Sequence, residues 1–360
     1  MNNGLENLRQ ELTSREIDAI LISQPENRQY LSGFVGSAGY LLVTEQEAVL
    51  ATDFRYTEQA GVQAPDYTVF QTAGKMSAWL PELVANLDSG KLGFEASHVT
   101  FALHQQLSDI LEDTKPGLNL VPVEGLVESL RAAKEPAEVE LISQAAEMTD
   151  RAFEEVADRI QVGMTEREVA WELERSLRGY GSQPLPFEII VASGPNAALP
   201  HARPSERRIQ SGEPIVIDMG ARIGGYCSDL SRTICLGPPD DTFKKVYSTV
   251  LQAQSAAIAG IKSGMSGHEA DALARTVTEQ AGYDRAFGHS LGHGVGLAAH
   301  EEPRLGPNSE DTLRVNMVFS IEPGIYIAGW GGVRIEDLAV MDSSRPRLLS
   351  KAKKMDIIGG

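Results

Sequence analysis

The chain has 360 residues, 42% of them hydrophobic and 23% charged, and its 32 basic and 50 acidic side chains give a formal net charge of −18. That length and composition suit one large or two ordinary globular domains, and the acidic balance excludes the basic surface a nucleic-acid partner requires. No run approaches the roughly 18 apolar residues that span a bilayer, and the acidic N-terminal stretch lacks the apolar core of a secretory leader, so no membrane partner and a cytoplasmic location are expected.

Leucines 5, 8 and 12 predict an amphipathic helix over residues 4–16. Ile17–Ile22 reads as a buried strand and Gln24–Asn27 as a turn. Strands are expected at Gly39–Val43, Ala48–Thr52 and Lys91–Glu95, and helices at Leu80–Leu87 and Phe101–Leu111. The alternation is an α/β pattern. GFVGSAG (33–39) is glycine-rich but does not give GxGxxG, so it is read as a turn. Asp53, Arg55 and Tyr56 could reach a site across an interface.

The character changes near residue 131, which divides the chain into an expected domain 1–130 and a second domain 131–360. RAAKEPAEVELISQAAEMTDRAFEEVADRI predicts a long surface helix with Pro136 in its first turn. A second helix is expected over Thr165–Arg178, where Thr165 and Glu168 have capping-box spacing. A strand and a loop containing His201 follow, then strands at Pro214–Met219 and Gly225–Ile234. Helices are expected at about 241–262 and 266–281, and strands at Val315–Glu322 and Gly332–Met341. No internal repeat is visible in the letters. Cys227 and Cys235, eight apart, read as small buried hydrophobes in a reducing compartment.

Three of the seven histidines, His289, His293 and His300, fall within FGHSLGHGVGLAAHEEP (287–303). A metal-binding HExxH helix is excluded because Ser290 follows the first histidine. Glycines at 288, 292, 294 and 296 also argue for an extended or turning segment open to close approach. Asp218 ends the apolar run IVID, and Asp229 lies eleven positions later across a turn-like ARIGG that predicts a hairpin. Glu322 ends FSIE, and Glu336 sits between Ile335 and Leu338. Singly, each such acid is more often a capped strand end or a paired charge. Together they are costly to bury unless cations compensate. Two Asp, two Glu and one His suit a pair of bridged divalent ions, Mn²⁺, Co²⁺, Fe²⁺ or Zn²⁺, and metal-assisted hydrolysis. No GxSxG offers a serine nucleophile instead.

At these residues, across roughly 134–360, the sequence resembles the pita-bread metallopeptidases: IDMG with its second Asp, GHGVG, HEEP, EPGIY and RIED. YLSGFVGSAGYLLV and TDFRYTEQA resemble the N-terminal domain carried by aminopeptidase P and prolidase. The resemblance implies a creatinase-like α/β domain followed by a pita-bread catalytic domain. It implies metal ligands Asp218, Asp229, His293, Glu322 and Glu336 and a pair of divalent ions, with Mn²⁺ expected first. It further implies substrate-binding histidines at His201 and His300, His289 near a proline pocket, and Glu322 doubling as general base or proton shuttle. Arg334 would orient the carboxylates and Tyr326 line the site, although a surface ion pair and a packed ring are the plain alternatives for these two. The implied activity is hydrolysis of Xaa–Pro bonds in peptides by a homodimer, as an aminopeptidase or alternatively as a dipeptidase. A catalytically dead pita-bread protein that binds a partner is the contrasting possibility.

Overall fold

Leu8 and Leu12 lie one helical turn apart and both are buried, so the apolar spacing at the start of the chain forms a helix, α1 (Gly4–Ser14). The protein is described here over residues 3–354 of a computed structural model. It divides into two units, Met1–Arg131 and Ala132–Gly360.

In the first unit α1 is followed by β1 (Ala19–Ile22), α2 (Pro25–Ser32), β2 (Tyr40–Thr44), β3 (Ala48–Asp53), α3 (Thr57–Gln63) and β4 (Thr68–Thr72). Then come α4 (Met76–Leu83), β5 (Gly90–Glu95), α5 (Phe101–Thr114), β6 (Leu118–Val123) and α6 (Leu126–Ala132). The six strands form one mixed sheet in the order β4-β3-β2-β1-β5-β6. Central β1 is buried at all four positions, antiparallel to β2 and parallel to β5. Leu21, Leu42, Leu80, Leu92 and Leu107 join sheet and helices in one apolar cluster.

Several local expectations fail here for identifiable reasons. The turn expected at Gln24–Asn27 is instead the start of α2. Pro25 occupies the first helical turn, where its missing N–H costs nothing, and Gly33 closes the helix at φ +77°. The helix is held from the side by Arg28, whose guanidinium donates to the carbonyls of Ser23, Gly36 and Gly39. The helix expected at Leu80–Leu87 lies four residues earlier, because Trp79, Leu80 and Leu83 define its buried face. Edge strands β4 and β6, the latter containing Pro122, gave no alternating signal strong enough to be read. Asp53 and Arg55 pair with each other, at 2.7 Å and 2.8 Å.

The second unit begins with α7 (Pro136–Ala157) and α8 (Glu166–Gly179). There follow β7 (Ile190–Ser193), β8 (Pro214–Met219), β9 (Arg222–Ile223), β10 (Tyr226–Cys227) and β11 (Leu230–Cys235). Next are α9 (Asp241–Gly260), α10 (Gly267–Gln280), β12 (Gly292–Gly294), β13 (Glu301–Leu305) and β14 (Val318–Ile321). The unit ends with β15 (Gly324–Ile327), β16 (Gly331–Arg334), β17 (Asp337–Met341) and β18 (Pro346–Leu348). Thr165 and Glu168 form the expected capping box at α8. The two sheets, β11-β8-β7 and β13-β12-β14-β17-β18, are each packed against one helix pair.

The unit is built twice, a repeat the letters did not reveal. Each half is a long helix, a 14-residue helix with a capping box, an antiparallel sheet and a two-stranded ribbon, β9–β10 or β15–β16. The shared letters are short: Gly163-Met164-Thr165 and Gly264-Met265-Ser266 precede the two capped helices. In both, the Met sulfur accepts the backbone N–H three residues before it. In both, the capping residue bridges to a distant strand segment, Thr165 to Arg208 and Ser266 to Thr312.

The strand expected over Gly225–Ile234 is broken between β10 and β11, and that over Gly332–Met341 between β16 and β17. Each break falls at an acid, Asp229 and Glu336 respectively, which leaves the ladder there. The hairpin between Asp218 and Asp229 forms as expected, with Asp218 opposite Ser231 in the β8–β11 pair.

Candidate metal centre

Burial without a partner is the first signal of a site in the second unit. The Oδ1 of Asp218 and the Oε1 of Glu336 are both buried with no hydrogen-bond partner, and an orphaned carboxylate oxygen demands compensation. Asp218 sits near the end of β8, Asp229 just before β11, His293 in the middle of β12, Glu322 just after β14 and Glu336 between β16 and β17. The doubled fold brings the two acidic strand ends of each half together. Glu336 N–H donates to Ser231 O at 3.0 Å, which ties the two sheets at the level of these acids, and Glu322 N–H donates to Leu291 O at 2.8 Å beside β12 and β14 of the second sheet.

Within this cluster, single ligand atoms of Asp229, His293 and Glu336 lie within 4.8 Å of one another. His293 Nε2 is 3.2 Å from Glu322 Oε1 and 3.7 Å from Asp229 Oδ2. Its Nδ1 lies 3.1 Å from Gly294 O, an acceptor only, so Nδ1 carries the proton and Nε2 is the atom turned to the acids. Gly292 and Gly294 make the placement of His293 possible. A Cβ on either would come 2.0 Å from a carbonyl oxygen of the neighbouring strand, that of Ser320 or Glu302. Extended backbone with glycines for close approach is what the 287–303 stretch predicted.

Electrostatics point the same way. Burial first, then Glu336 and Asp218, push Asp229 well above the ordinary carboxylate range. Burial, then the charges of Glu322 and Asp218, do the same to Glu336. Burial also raises Asp218, against the pull of Arg334. For Glu322, burial is outweighed by the hydrogen bond and charge of His293, which bring it down to about 2. Burial likewise fails to lower His293, because Glu322 holds it up at about 9. Four carboxylates with one imidazole thus carry more negative charge than the protein neutralises. A divalent cation site fits this donor set.

Around the acids the expected accessory residues fall into place unevenly. Arg334 donates from Nη2 to Asp218 Oδ2 at 2.6 Å, from Nε to Ser231 Oγ at 2.7 Å and from Nη1 to Tyr326 Oη at 2.9 Å. Tyr326 Oη lies 3.0 Å from His289 Nε2. The His289 Nδ1, 2.8 Å from Ser290 O, must be its protonated nitrogen, so Tyr326 donates to His289. Burial lowers the pKa of His289, keeping the ring neutral. Neither Arg334 nor Tyr326 is a surface pair or a merely packed ring. His300 stacks obliquely on His293 with ring centroids 3.9 Å apart. Burial and then the charge of His293 lower its pKa. His201 is exposed and makes no direct contact with the acids, but lines the same cavity.

That cavity, about 670 Å³, opens over Asp218, Asp229, His293, Glu322 and Glu336. Phe187, Ile189, Ile190, Pro200 and Ala202 supply an apolar wall, and Arg304 lines it as well. Arg304, exposed at the cavity's edge, donates from Nε to Ser290 Oγ and has no ion-pair partner among the described residues. Sequence reasoning missed Arg304, which no local pattern distinguishes from a surface arginine. It also missed Ser320, whose Oγ accepts from His293 N and donates to Glu322 Oε1.

A mixed-sheet unit preceding a doubled α/β unit, with a carboxylate-rich cluster suited to a cation between the doubled halves, defines a two-domain pita-bread hydrolase. Residues 140–343 match the model of metallopeptidase family M24, and residues 5–133 match the creatinase/prolidase N-terminal domain. The chain belongs to metallopeptidase family M24 and is a metal-dependent hydrolase. It is 34% identical to a Xaa-Pro dipeptidase of Pyrococcus furiosus over 98% of this chain and 99% of that protein. Among solved structures, it is 40% identical to a Xaa-Pro dipeptidase from Bacillus anthracis, with a TM-score of 0.94 and 99% of each chain covered. It is 36% identical to an X-Pro aminopeptidase from Thermotoga maritima, with a TM-score of 0.86, covering 95% of this chain and 98% of that one. Among the described residues, no helix is long and apolar enough to cross a membrane.

Proposed function

We propose that the protein hydrolyses the bond between a first residue and a proline, at a pair of divalent ions held by Asp218, Asp229, His293, Glu322 and Glu336. The observation that carries this is the convergence of these five groups on one cavity with two orphaned carboxylate oxygens. Four carboxylates and one imidazole favour Mn²⁺, with Co²⁺ or Zn²⁺ able to substitute. When bound, the ions supply Lewis acidity and lower the pKa of water.

The remaining chemistry belongs to the chain. Glu322, oriented by Ser320, holds the proton taken from the attacking water and passes it to the leaving proline nitrogen. His300 and His201, lining the same cavity, hydrogen-bond the scissile carbonyl and the oxyanion it becomes. Arg334 orients Asp218 and opposes the effect of burial on its charge. His289, fixed as a neutral ring by Tyr326, closes the cavity beside the apolar wall that receives the proline ring. A tertiary amide without an N–H and with fixed φ resists general peptidases, which makes a dedicated pocket necessary.

Arg304 supports a dipeptide as the preferred substrate. A guanidinium in the cavity with no carboxylate of its own suits the free carboxyl that follows proline in Xaa-Pro. In a longer peptide that carboxyl becomes an amide. The Xaa-Pro dipeptidases among the relatives support the same reading. Removal of the first residue from longer peptides is the second reading, favoured by the similarity to an X-Pro aminopeptidase. Hydrolysis of Ala-Pro and of Ala-Pro-Ala, after chelation and with Mn²⁺, Co²⁺ or Zn²⁺ restored, separates them. Metal-dependent cleavage confined to Ala-Pro is expected. Release of alanine from the tripeptide at a comparable rate would favour the aminopeptidase, and no cleavage of either would refute the Xaa–Pro assignment.

A further inference from the structure

Arg232, in the middle of β11, is fully buried and takes no part in the cavity. Its guanidinium donates from Nη1 to the backbone carbonyls of Ser231 and Glu336, and from Nη2 to Asp337 Oδ1 and Ala352 O, both at 2.7 Å. Its Nε donates to Lys353 O at 3.3 Å. The other oxygen of Asp337 accepts from Lys354 Nζ at 2.7 Å and from Gln254 Nε2 at 3.3 Å. Gln254 also donates to Ile321 O at 3.1 Å, the carbonyl immediately before Glu322. Asp150, also buried, accepts the N–H groups of Lys351 and Ala352. The peptide 351–353 is therefore threaded between a buried carboxylate and a buried guanidinium. The same guanidinium grips the backbone of Glu336.

Burying Asp150, Arg232 and Asp337 costs free energy that apolar residues of the same volume would not, so holding the fold together does not account for them. Apart from the Ser231 carbonyl, they act on the 350–354 segment and, directly or through Gln254, on the peptide bonds beside Glu322 and Glu336. We infer that the segment Leu349–Lys354 is a strap that belongs to the metal centre, and that Arg232 and Asp337 are positioning residues which use it to fix the Glu336 carboxylate for the metal. This rests on the reading of Glu336 as a ligand. Carboxylate ligands owe much of their affinity to the groups that orient them.

Calorimetric titration of the chelated protein with Mn²⁺ tests the inference, beside its melting temperature in chelator and in saturating Mn²⁺. The variants are Lys354→Met, Lys354→Arg, Arg232→Met and Glu336→Gln. Lys354 is partly exposed, so its variants fold even if Arg232→Met does not. Lys354→Met is expected to weaken binding of one ion about 10-fold, within the range of roughly 10–100-fold seen when groups behind a ligand are removed. Lys354→Arg, which keeps the cation, retains the parent's affinity. Lys354→Met with a lower melting temperature but the parent's Mn²⁺ affinity would overturn the strap and leave the ligand assignment standing. Parental affinity in Glu336→Gln would overturn both.

Discussion

Asp229→Asn separates the cost of the metal centre from its use. Asp229 is 5% exposed and faces Glu336, Asp218 and Glu322, so in the metal-free protein its ionised form is opposed by burial and by three like charges. The amide keeps the shape and removes the charge. The contact given up is the one to His293 at 3.7 Å, while the 3.2 Å contact from His293 to Glu322 remains. The expected gain in metal-free stability is on the order of 1–4 kcal/mol, the range for replacing buried charges with neutral groups. At roughly 2–4 °C per kcal/mol for a unit of this size, Asp229→Asn melts several degrees above the parent in chelator. In Mn²⁺ at about 100 times the dissociation constant, the parent gains about 2.7 kcal/mol. The variant gains little, and its hydrolysis of Ala-Pro falls to background. Differential scanning calorimetry with and without chelator, beside the peptidase assay, reads all three quantities. A variant that melts below the parent in chelator, or that keeps the parent's metal-induced shift, would refute the claim that these carboxylates are strained until a cation joins them.

The metal-free protein should also lose stability as the solution becomes alkaline. His293 is raised from its ordinary value to about 9, so its stabilising contribution is complete below about pH 6.5 and is lost as pH climbs through 9; His293→Gln in chelator abolishes that part of the decline in melting temperature. The raised carboxylates Asp218, Asp229 and Glu336 have the same sign at lower pH. Their contribution is complete below the ordinary carboxylate range and is lost as pH climbs from there through their raised values, so Mn²⁺, which binds the ionised groups, raises the melting temperature more at pH 7 than at pH 5. Lys134 and Glu301 pair at 2.6 Å with side chains 1% and 5% exposed. Lys134→Met should cost about 3–5 kcal/mol in urea unfolding by removing the cation beside a buried carboxylate, and Lys134→Met/Glu301→Leu should recover most of it. Arg304→Leu should raise KM for Ala-Pro by roughly 10-fold or more, the worth of a charged hydrogen bond of about 1.5–3 kcal/mol, while affecting Ala-Pro-amide little. Equal losses on both would remove Arg304 from carboxylate recognition.

Local physics was legible in the letters wherever one residue's neighbours in sequence decide its state. The capped start of α8 at Thr165 and Glu168, the apolar runs of β1 and β8, and the acids that interrupt β-patterns at 218, 229, 322 and 336 are of this kind. So is the glycine-bearing extended segment around His293. An acid within a buried apolar pattern is costly wherever the strand goes, so the anomaly announces itself before the partners are known. Arg232 in LSRTIC, a charge within a run of buried residues, is the cationic counterpart of the same anomaly. Tertiary structure alone decided what depends on distant partners. Gln24–Asn27 begins a helix because Arg28 anchors it to carbonyls at 23, 36 and 39. Edge strands β4 and β6 exist because β3 and β5 offer them a ladder. The pairing of Tyr326 with His289 and Arg334, the place of Arg304 in the cavity and the doubling of the second unit all require chain folding over tens of residues. Periodicity and capping are fixed by spacing along the chain, whereas which side chains meet is fixed by packing. The sequence therefore determined which residues could not be buried alone, and only the fold decided that they would be buried together.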